Sequence, residues 1–253
     1  MRYRLDIKPF VLSLSKCEWL YSLRQACPEY RSLLRQAQDE RGRRIQAERN
    51  VISIRSVSVI AFCTCCLLPG IAVAQQTILV FGDSLSAAYG IPREAGWVNL
   101  LQQELQHSHP QYRIINASIT GETTTGGLQR IPAALRQHQP AIVILELGAN
   151  DGLRGTPVTD IEANLTALIK QARKVRARVL LLGMQLPPNY GADYAAHFKA
   201  LYPKLAQRYP VALVPFFLEG VAPDQFQADN LHPTAQAQPH ILQNIMQELK
   251  PLL

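Results

Sequence analysis

Cysteine is absent from the larger part of this chain. All five cysteines of the 253-residue sequence precede Gln75, and none follows it. Residues 75–253 can therefore form neither an internal disulfide nor a zinc site with thiolate ligands. They are numerous enough to bury an ordinary hydrophobic core, so we expect one domain that needs no covalent cross-link.

Residues 75–253 also lack an excess of positive charge. The formal net charge of +7 is concentrated before Gln75, where 12 basic residues stand against 6 acidic ones. From Gln75 onward the counts are 14 and 13, and the basic residues form no long run. The composition therefore argues against a surface that binds nucleic acid or another polyanion.

A short uncharged segment, residues 57–68, stands out in the N-terminal part. Arginines precede it, and a Pro-Gly helix breaker and the sequence Ala-Val-Ala follow it. This pattern predicts a secretory signal peptide over residues 51–74 that is cleaved after Ala74. The alternative is a membrane anchor, because the uncharged run over residues 57–76 spans a bilayer if it is not cut. The helix breaker favours cleavage, which gives a periplasmic or secreted protein without a stable membrane span.

Residues 1–50 show patches of arginine, isolated aromatic residues and no sustained helical or strand period. A signal peptide seldom carries so long a region before its apolar core. We hypothesise that this extension is not native, with translation starting near Val51, or that it is removed with the signal peptide. N-terminal sequencing of the native protein tests this, and a mature protein that starts at Met1 would contradict it.

After Gln75, apolar segments rich in β-branched residues alternate with segments of helical period. Strands are predicted over residues 78–81, 112–116, 141–147, 178–184 and 211–214. Helices are predicted over residues 94–107, 125–138, 158–175, 194–209 and 234–249. This alternation predicts right-handed βαβ units and a parallel sheet covered on both faces. We therefore expect a three-layer α/β/α domain over residues 75–253, with a flavodoxin-like parallel sheet of five strands.

Four sets of polar residues and glycines follow predicted strands or precede the last helix. They are Gly82-Asp83-Ser84, Asn116-x-Ser118-x-x-Gly121, Gly148-x-Asn150-Asp151 and Asp229-Asn230-Leu231-His232-Pro233. The first three follow the first three strands in turn. Open α/β sheets bind their ligands at the carboxyl ends of the strands, so these loops are the candidate functional site.

Ser84 is a candidate nucleophile. It lies just past the turn that ends the first strand, where a helix start would offer free backbone N–H groups to a developing anion. A serine hydroxyl needs a base that takes its proton, and His232 is the candidate base. Asp229, three residues earlier, can accept from the other imidazole nitrogen and fix the tautomer. Taken singly, each has a plain alternative: an N-cap serine, a loop histidine and a turn-forming aspartate.

The four motifs, in this order, resemble those of the SGNH hydrolases, also called the GDSL esterase/lipase family. The resemblance covers residues 77–253 and is greatest to the group of periplasmic acyl-CoA thioesterase I, lysophospholipase and arylesterase enzymes. It includes the segments Asn150-Asp151-Gly152-Leu153-Arg154-Gly155, Leu186-Pro187-x-Asn189-Tyr190-Gly191 and Pro215-Phe216-Phe217. It implies the SGNH hydrolase fold and an enzyme that needs no metal and no cofactor.

The resemblance also implies roles for further residues. The oxyanion hole is formed by the backbone N–H groups of Ser84 and Gly121 and by the side-chain amide of Asn150. The segment with Leu153 and Arg154 is a switch loop over the acyl chain, and Leu186-Pro187 borders the acyl site. Asp83 and Asp151 are interpreted as residues that brace their loops by hydrogen bonds.

The leading interpretation is a secreted, monomeric serine hydrolase of acyl esters and thioesters that works through an acyl-enzyme on Ser84. The alternative on the same fold is a carbohydrate O-deacetylase, which would prefer acetylated sugars. A binding module without activity would be expected to lack Ser84, Asn150 or His232, and all three are present. A flavin-binding module would need a phosphate loop after the first strand, where Gly82-Asp83-Ser84 stands instead. The threonine-rich stretch at residues 123–127 is interpreted as a helix start.

Overall fold

The computed structural model describes residues 75–253, together with helical positions at 32, 35, 36, 38–44 and 46. The chain divides into two units, residues 1–72 and 73–253. The predicted signal peptide over residues 51–74 lies outside the described residues, as does most of the extension over residues 1–50. Both stay predictions.

The sheet of the second unit has five parallel strands in the order β2-β1-β3-β4-β5. The strands are β1 Gln76–Gly82, β2 Tyr112–Asn116, β3 Ile142–Glu146, β4 Arg178–Leu182 and β5 Ala212–Val214. This is the flavodoxin-like doubly wound order, and it confirms the predicted fold class. All of β3 is buried, as expected for an apolar strand covered on both faces.

Residues 75–253 form six α-helices. They are α1 Trp97–Ser108, α2 Thr124–His138, α3 Ala149–Leu153, α4 Val158–Lys174, α5 Ala192–Arg208 and α6 Gln238–Leu249. Helix α1 packs beside α6, whereas α4 packs between α2 and α5. Among the described helices, none combines the length and the hydropathy that a bilayer crossing requires.

Two helices begin later than the sequence predicts, and one short helix was not predicted. Helix α1 begins at Trp97, because Gly96 is extended and residues Arg93–Ala95 form a separate 3-10 turn. Helix α6 begins at Gln238, after another 3-10 turn over Ala235–Ala237. The short helix α3 was not predicted. It follows Gly148, whose φ of +118° favours glycine and turns the chain sharply out of the sheet.

The reversal of strand order between β1 and β3 positions the functional loops. The connection after β1 leads to β2 on one side, and the connection after β3 leads to β4 on the other. The carboxyl ends of β1 and β3 therefore border the crevice in which doubly wound folds bind ligands. Two large aromatic side chains fill the core nearby, because Phe81 on β1 and Tyr202 on α5 are both fully buried.

Candidate active site

Ser84 lies in a tight series of turns after β1. The backbone N–H of Ala87 donates to the Asp83 carbonyl at 3.0 Å, and that of Tyr89 donates to the Ser84 carbonyl at 3.2 Å. Ala88 has a φ of +60°, which interrupts any helical continuation. The helix start expected at Ser84 is therefore wrong, because the chain turns back instead. Ser84 itself is 7% exposed.

The loop before α6 places Asp229 and His232 together. One carboxylate oxygen of Asp229, Oδ1, accepts from the backbone N–H groups of Leu231 at 2.9 Å and His232 at 3.0 Å. Asn230 between them has a φ of +54°, a left-handed conformation that asparagine tolerates better than most residues. The other side of the loop is held by the backbone N–H of Gln227, which donates to the His232 carbonyl at 2.7 Å.

The three predicted catalytic side chains form a continuous hydrogen-bonded chain. His232 Nδ1 lies 2.7 Å from Asp229 Oδ2, and His232 Nε2 lies 2.9 Å from Ser84 Oγ. Since a carboxylate only accepts, Nδ1 carries the proton. Nε2 is then an acceptor, and the Ser84 hydroxyl donates to it. This is the relation of nucleophile, base and orienting group that a serine hydrolase requires.

Asp229 is held in its ionised form. Desolvation by partial burial pushes the pKa of its carboxyl upward. Hydrogen bonds from the backbone of His232 and Leu231, and then from the His232 ring, outweigh this and lower the pKa from 3.8 to about 2. The carboxylate therefore stays charged across the neutral range and can stabilise an imidazolium beside it.

Gly121 and Asn150, the other predicted oxyanion donors, line the same cavity as Ser84. Gly121 has a φ of +78°, and no protein atom lies within 4 Å of the position a Cβ would take. Glycine is therefore required here for backbone conformation. The Asn150 side-chain nitrogen donates to Asp83 Oδ2 and to the Glu122 carbonyl, both at 3.0 Å. Both acceptors require the nitrogen, so they fix which way the amide points.

An apolar cavity of about 570 Å³ opens above these residues. Three of the four predicted substrate-binding residues, Leu153, Leu186 and Pro187, line it. Arg154 is not among the lining residues, and its guanidinium donates at 3.3 Å to the carbonyl of Gly121, which does line the cavity. Its predicted contact with substrate stays a prediction. Further apolar walls come from Leu85, Tyr89, Met184, Phe216, Leu218, Phe226 and Leu231.

The predicted bracing by Asp83 and Asp151 agrees with the hydrogen bonds. Asp83 Oδ1 accepts from the Leu85 N–H at 3.0 Å, which closes the turn around Ser84. Asp151 accepts from the backbone N–H of Thr124 at 2.8 Å and from its hydroxyl at 2.7 Å. Asp151 thereby ties α3 to the first turn of α2. Thr123 caps α2 through its hydroxyl, so the threonine-rich stretch is a helix start as predicted.

Two residues at the site were missed in the sequence. Glu146, the last residue of β3, is completely buried and accepts from the Ser86 hydroxyl at 2.8 Å. A charged residue in the apolar run over residues 141–147 was the available signal. Tyr89 places its ring centroid 4.5 Å from that of His232 while remaining 49% exposed. An aromatic residue in a turn offers no comparable signal.

Burial shifts the acidity of the two carboxyls beneath Ser84. Desolvation raises the pKa of Asp83 from 3.8 to about 6, against hydrogen bonds from Leu85, Glu146 and Asn150 that lower it. Desolvation, followed by the charge of Asp83, raises the pKa of Glu146 well above 4.5. Within the described part of the chain, no cluster of three or more histidine, cysteine or acidic side chains has an arrangement suited to a metal ion.

Comparison with known proteins gives the same assignment as the motifs. Residues 80–238 match the GDSL-like lipase/acylhydrolase family. Esterase TesA from Pseudomonas aeruginosa is 51% identical over 182 residues, which cover 71% of this chain and 90% of that protein.

Two further relatives extend the comparison. The Escherichia coli protein named thioesterase 1/protease 1/lysophospholipase L1 is 43% identical over 184 residues, covering 72% of this chain and 87% of that protein. The crystal structure of the psychrotrophic esterase EstA from Pseudoalteromonas sp., inhibited by monoethylphosphonate, matches with a TM-score of 0.67. It is 42% identical and covers 70% of this chain and 97% of that one.

Proposed function

The chain belongs to the GDSL-like lipase/acylhydrolase family and is an ester-bond hydrolase, and we propose that it cleaves acyl esters and thioesters through an acyl-enzyme on Ser84. The observation that carries this proposal is the continuous chain from Ser84 Oγ through His232 to Asp229, with contacts of 2.9 and 2.7 Å. These distances suit proton transfer from the hydroxyl to the imidazole.

Acylation begins when Ser84 Oγ attacks the carbonyl carbon of the substrate and its proton passes to His232 Nε2. The tetrahedral intermediate then collapses and breaks the bond to the alcohol or thiol. The leaving group takes the proton from Nε2, and the acyl group remains on Ser84. Asp229, accepting from Nδ1, keeps the imidazole in the required tautomer and stabilises its charged form.

Deacylation repeats these steps with water as the nucleophile. His232 Nε2 takes a proton from the water as its oxygen attacks the acyl carbon. When the bond to Ser84 Oγ breaks, the same proton returns to that oxygen, and the carboxylic acid leaves. The enzyme is then restored, and no metal or cofactor has taken part.

The oxyanion of each intermediate is bound by the backbone N–H groups of Ser84 and Gly121 and by Asn150. The Asn150 N–H that now donates to the Glu122 carbonyl is shared with the oxyanion, while the other stays on Asp83. Such fixed donors usually supply the largest part of the stabilisation of an acyl-transfer transition state.

The substrate class follows from the cavity and the relatives. Leu153, Leu186 and Pro187 line an apolar volume of about 570 Å³, which suits an acyl chain of several carbons better than a sugar. Relatives named esterase, thioesterase and lysophospholipase are consistent with this choice. The signal-like segment supports a periplasmic or secreted location for the activity.

The test is hydrolysis of p-nitrophenyl esters from acetate to palmitate by the purified protein and its Ser84→Ala variant. We expect activity that peaks at medium or long chains and falls by about 10⁶-fold in the variant, to near the uncatalysed background. Ser108→Ala, at an exposed position on α1, is the matched control and should leave the rates unchanged.

Other outcomes of this test lead elsewhere. Activity confined to acetate would support the carbohydrate O-deacetylase and contradict the acyl-chain assignment. Full activity in Ser84→Ala would exclude the acyl-enzyme on this residue.

A further inference from the structure

Two carboxyl groups meet directly beneath the turn that carries Ser84. Asp83 follows β1, and Glu146 ends the adjacent strand β3, where it pairs in register with Gly82. Both side chains are completely buried. A buried pair of acids is unfavourable if both are ionised, so the arrangement requires an explanation.

The structure makes room for Glu146 at this position. A Cβ on Gly82 would lie 2.6 Å from Glu146 Oε2 and 2.9 Å from the Ser86 hydroxyl, so only glycine leaves space for the carboxyl. Oε2 accepts from the backbone N–H of Asp83 at 3.1 Å and from the Ser86 hydroxyl at 2.8 Å. Glu146 is therefore built into the turn rather than placed beside it.

The two oxygens of Glu146 differ. Oε2 has two donors, whereas Oε1 is buried and receives a hydrogen bond from no residue that the structure describes. An ionised carboxylate with one buried oxygen left without a donor is costly. A neutral Glu146 can instead donate its proton, and a side-chain hydrogen bond links the Asp83 and Glu146 carboxyls.

Asp83 already has two donors. Its Oδ1 accepts from the Leu85 N–H and its Oδ2 from the Asn150 amide, both at 3.0 Å. As a carboxylate, Asp83 accepts only, and this compels Asn150 to present its nitrogen. A protonated Asp83 can donate to the Asn150 oxygen instead, which would leave the Glu122 carbonyl, of these two acceptors, alone to hold the amide nitrogen in place.

We propose that Glu146 is a positioning residue for ester hydrolysis: as a neutral acid it donates a hydrogen bond to the Asp83 carboxylate, which in turn holds the Asn150 amide with its nitrogen toward the oxyanion site. This inference rests on the proposed function, since it assigns a task within the same site. It extends the oxyanion machinery by two residues that do not themselves donate to the oxyanion.

Two other titratable groups interact with the pair. His232, when protonated, acts on Asp83 through its charge, and Tyr202 on α5 interacts with the charges of both carboxyls and of Asp151. The Tyr202 hydroxyl donates to the Leu147 carbonyl at 3.2 Å and is therefore committed elsewhere. Among these groups, Glu146 is the one whose buried Oε1 still needs a hydrogen-bonding partner.

The test compares Glu146→Gln with Glu146→Leu. Glutamine has the shape of a neutral acid. Its oxygen can accept from the backbone N–H of Asp83 and from the Ser86 hydroxyl, and its NH₂ can donate to the Asp83 carboxylate. We expect Glu146→Gln to retain kcat on a medium-chain p-nitrophenyl ester to within about threefold. We expect Glu146→Leu to lower kcat by about 10- to 100-fold with little change in KM, because one oxyanion donor is misdirected rather than removed.

A spectroscopic measurement tests the protonation independently of activity. In the folded wild-type protein at neutral pH, infrared spectroscopy should show the carbonyl band of an un-ionised carboxylic acid. This band should be absent from Glu146→Gln. It also remains measurable if Glu146→Leu proves too unstable for kinetics.

Three results would overturn the inference. One is a loss in Glu146→Gln as large as that in Glu146→Leu, which would show that a charged carboxylate is required. A second is full activity in both variants, and a third is an acid band that persists in Glu146→Gln. Failure of the wild-type protein to hydrolyse any ester would overturn the proposed function first, and is thus distinguishable from these.

Discussion

The acidic residues on the two sides of Ser84 have pKa values that are shifted in opposite directions. Asp229 stands on a surface loop, where backbone N–H groups and the His232 ring hold the pKa of its carboxyl at about 2. Asp83 and Glu146 lie at buried strand ends, where desolvation raises the pKa of Asp83 to about 6 and that of Glu146 well above 4.5. One side offers a permanent charge and the other a retained proton. The environment, rather than the residue type, therefore decides what each acid contributes.

This contrast fits two separate requirements of the reaction, one at the base and one at the oxyanion site. The base needs a fixed negative charge beside it, because it becomes an imidazolium in each step. The oxyanion site needs donors that are held in one orientation. A surface loop supplies the charge beside the base, and the buried pair of acids holds the Asn150 amide through Asp83.

The largest loss of activity is expected from Asp229→Asn, which removes the carboxylate of the exposed side of the site, formed by Asp229 and His232. The amide can donate to Nδ1 and so favours the wrong imidazole tautomer, which leaves Nε2 unable to accept the Ser84 proton. We expect kcat to fall by about 10³- to 10⁴-fold while the fold is kept. Steady-state kinetics on a p-nitrophenyl ester measure this. Asp224→Asn, at an exposed position of the same C-terminal region, is the control and should match the wild type.

A loss of kcat below tenfold in Asp229→Asn would contradict the contrast between a required charge on Asp229 and a retained proton in the buried pair. It would mean that the exposed carboxylate is dispensable and that the imidazole is oriented by other contacts.

The exposed side is the part of the site that sequence reasoning could reach. Asp229 and His232 are three residues apart, so one local turn brings both side chains to Ser84. The strands and the threonine-rich helix start were likewise readable from local pattern. The buried side was not, because Glu146 meets Asp83 across 63 positions of chain. Its role depends on strand register and on the space left by Gly82, neither of which a local pattern records.

Arg154 and Asn150 show that the direction of a side chain also cannot be predicted from the sequence. Family resemblance identified both as functional, yet the direction of a long or amide side chain is decided by tertiary partners. The Arg154 guanidinium donates to the Gly121 carbonyl, and the Asn150 nitrogen donates to Asp83 and to the Glu122 carbonyl. Residue type predicted the chemistry available, and the surrounding acceptors decide where it points.

An intermediate effect is expected on the free energy of unfolding when the buried side of the site, formed by Asp83 and Glu146, is changed. Unfolded Glu146 loses its proton above a pH of about 4.5, whereas the folded protein keeps it, so the unfolded state binds fewer protons. The free energy of unfolding of the wild type should therefore fall relative to that of Glu146→Gln as pH rises from about 5 to 8. The slope is about 1.4 kcal/mol per pH unit while folded Glu146 stays protonated.

Urea unfolding of both proteins across this pH range measures the difference. Asp83 is present in both, so its own titration near pH 6 cancels in the comparison to first order. Glu104→Gln, at a solvated position on α1, is the control and should give a curve parallel to that of the wild type. Parallel curves for the wild type and Glu146→Gln would show that Glu146 is ionised in the folded protein.

The smallest effect is expected at the outer edge of the exposed side, where Tyr89 covers His232. The two ring centroids lie 4.5 Å apart at an interplanar angle of 43°, and the Tyr89 ring is half exposed. An aromatic contact of this kind contributes about 0.5–1.5 kcal/mol, and water replaces part of it when the ring is removed. We therefore expect Tyr89→Ala to lower kcat/KM by about two- to tenfold.

Tyr89→Phe separates the ring from the hydroxyl. The backbone carbonyl of Tyr89 accepts from the Gln227 side chain at 2.9 Å in any variant, so the turn keeps its anchor to the loop that carries His232. If the ring alone steadies the imidazole, Tyr89→Phe retains the wild-type kcat/KM on the same ester. A loss equal to that of Tyr89→Ala would assign the effect to the hydroxyl. The exposed side would then depend on a second polar group as well as on the Asp229 charge. Like the buried side, it would rely on two polar groups rather than on a single charge.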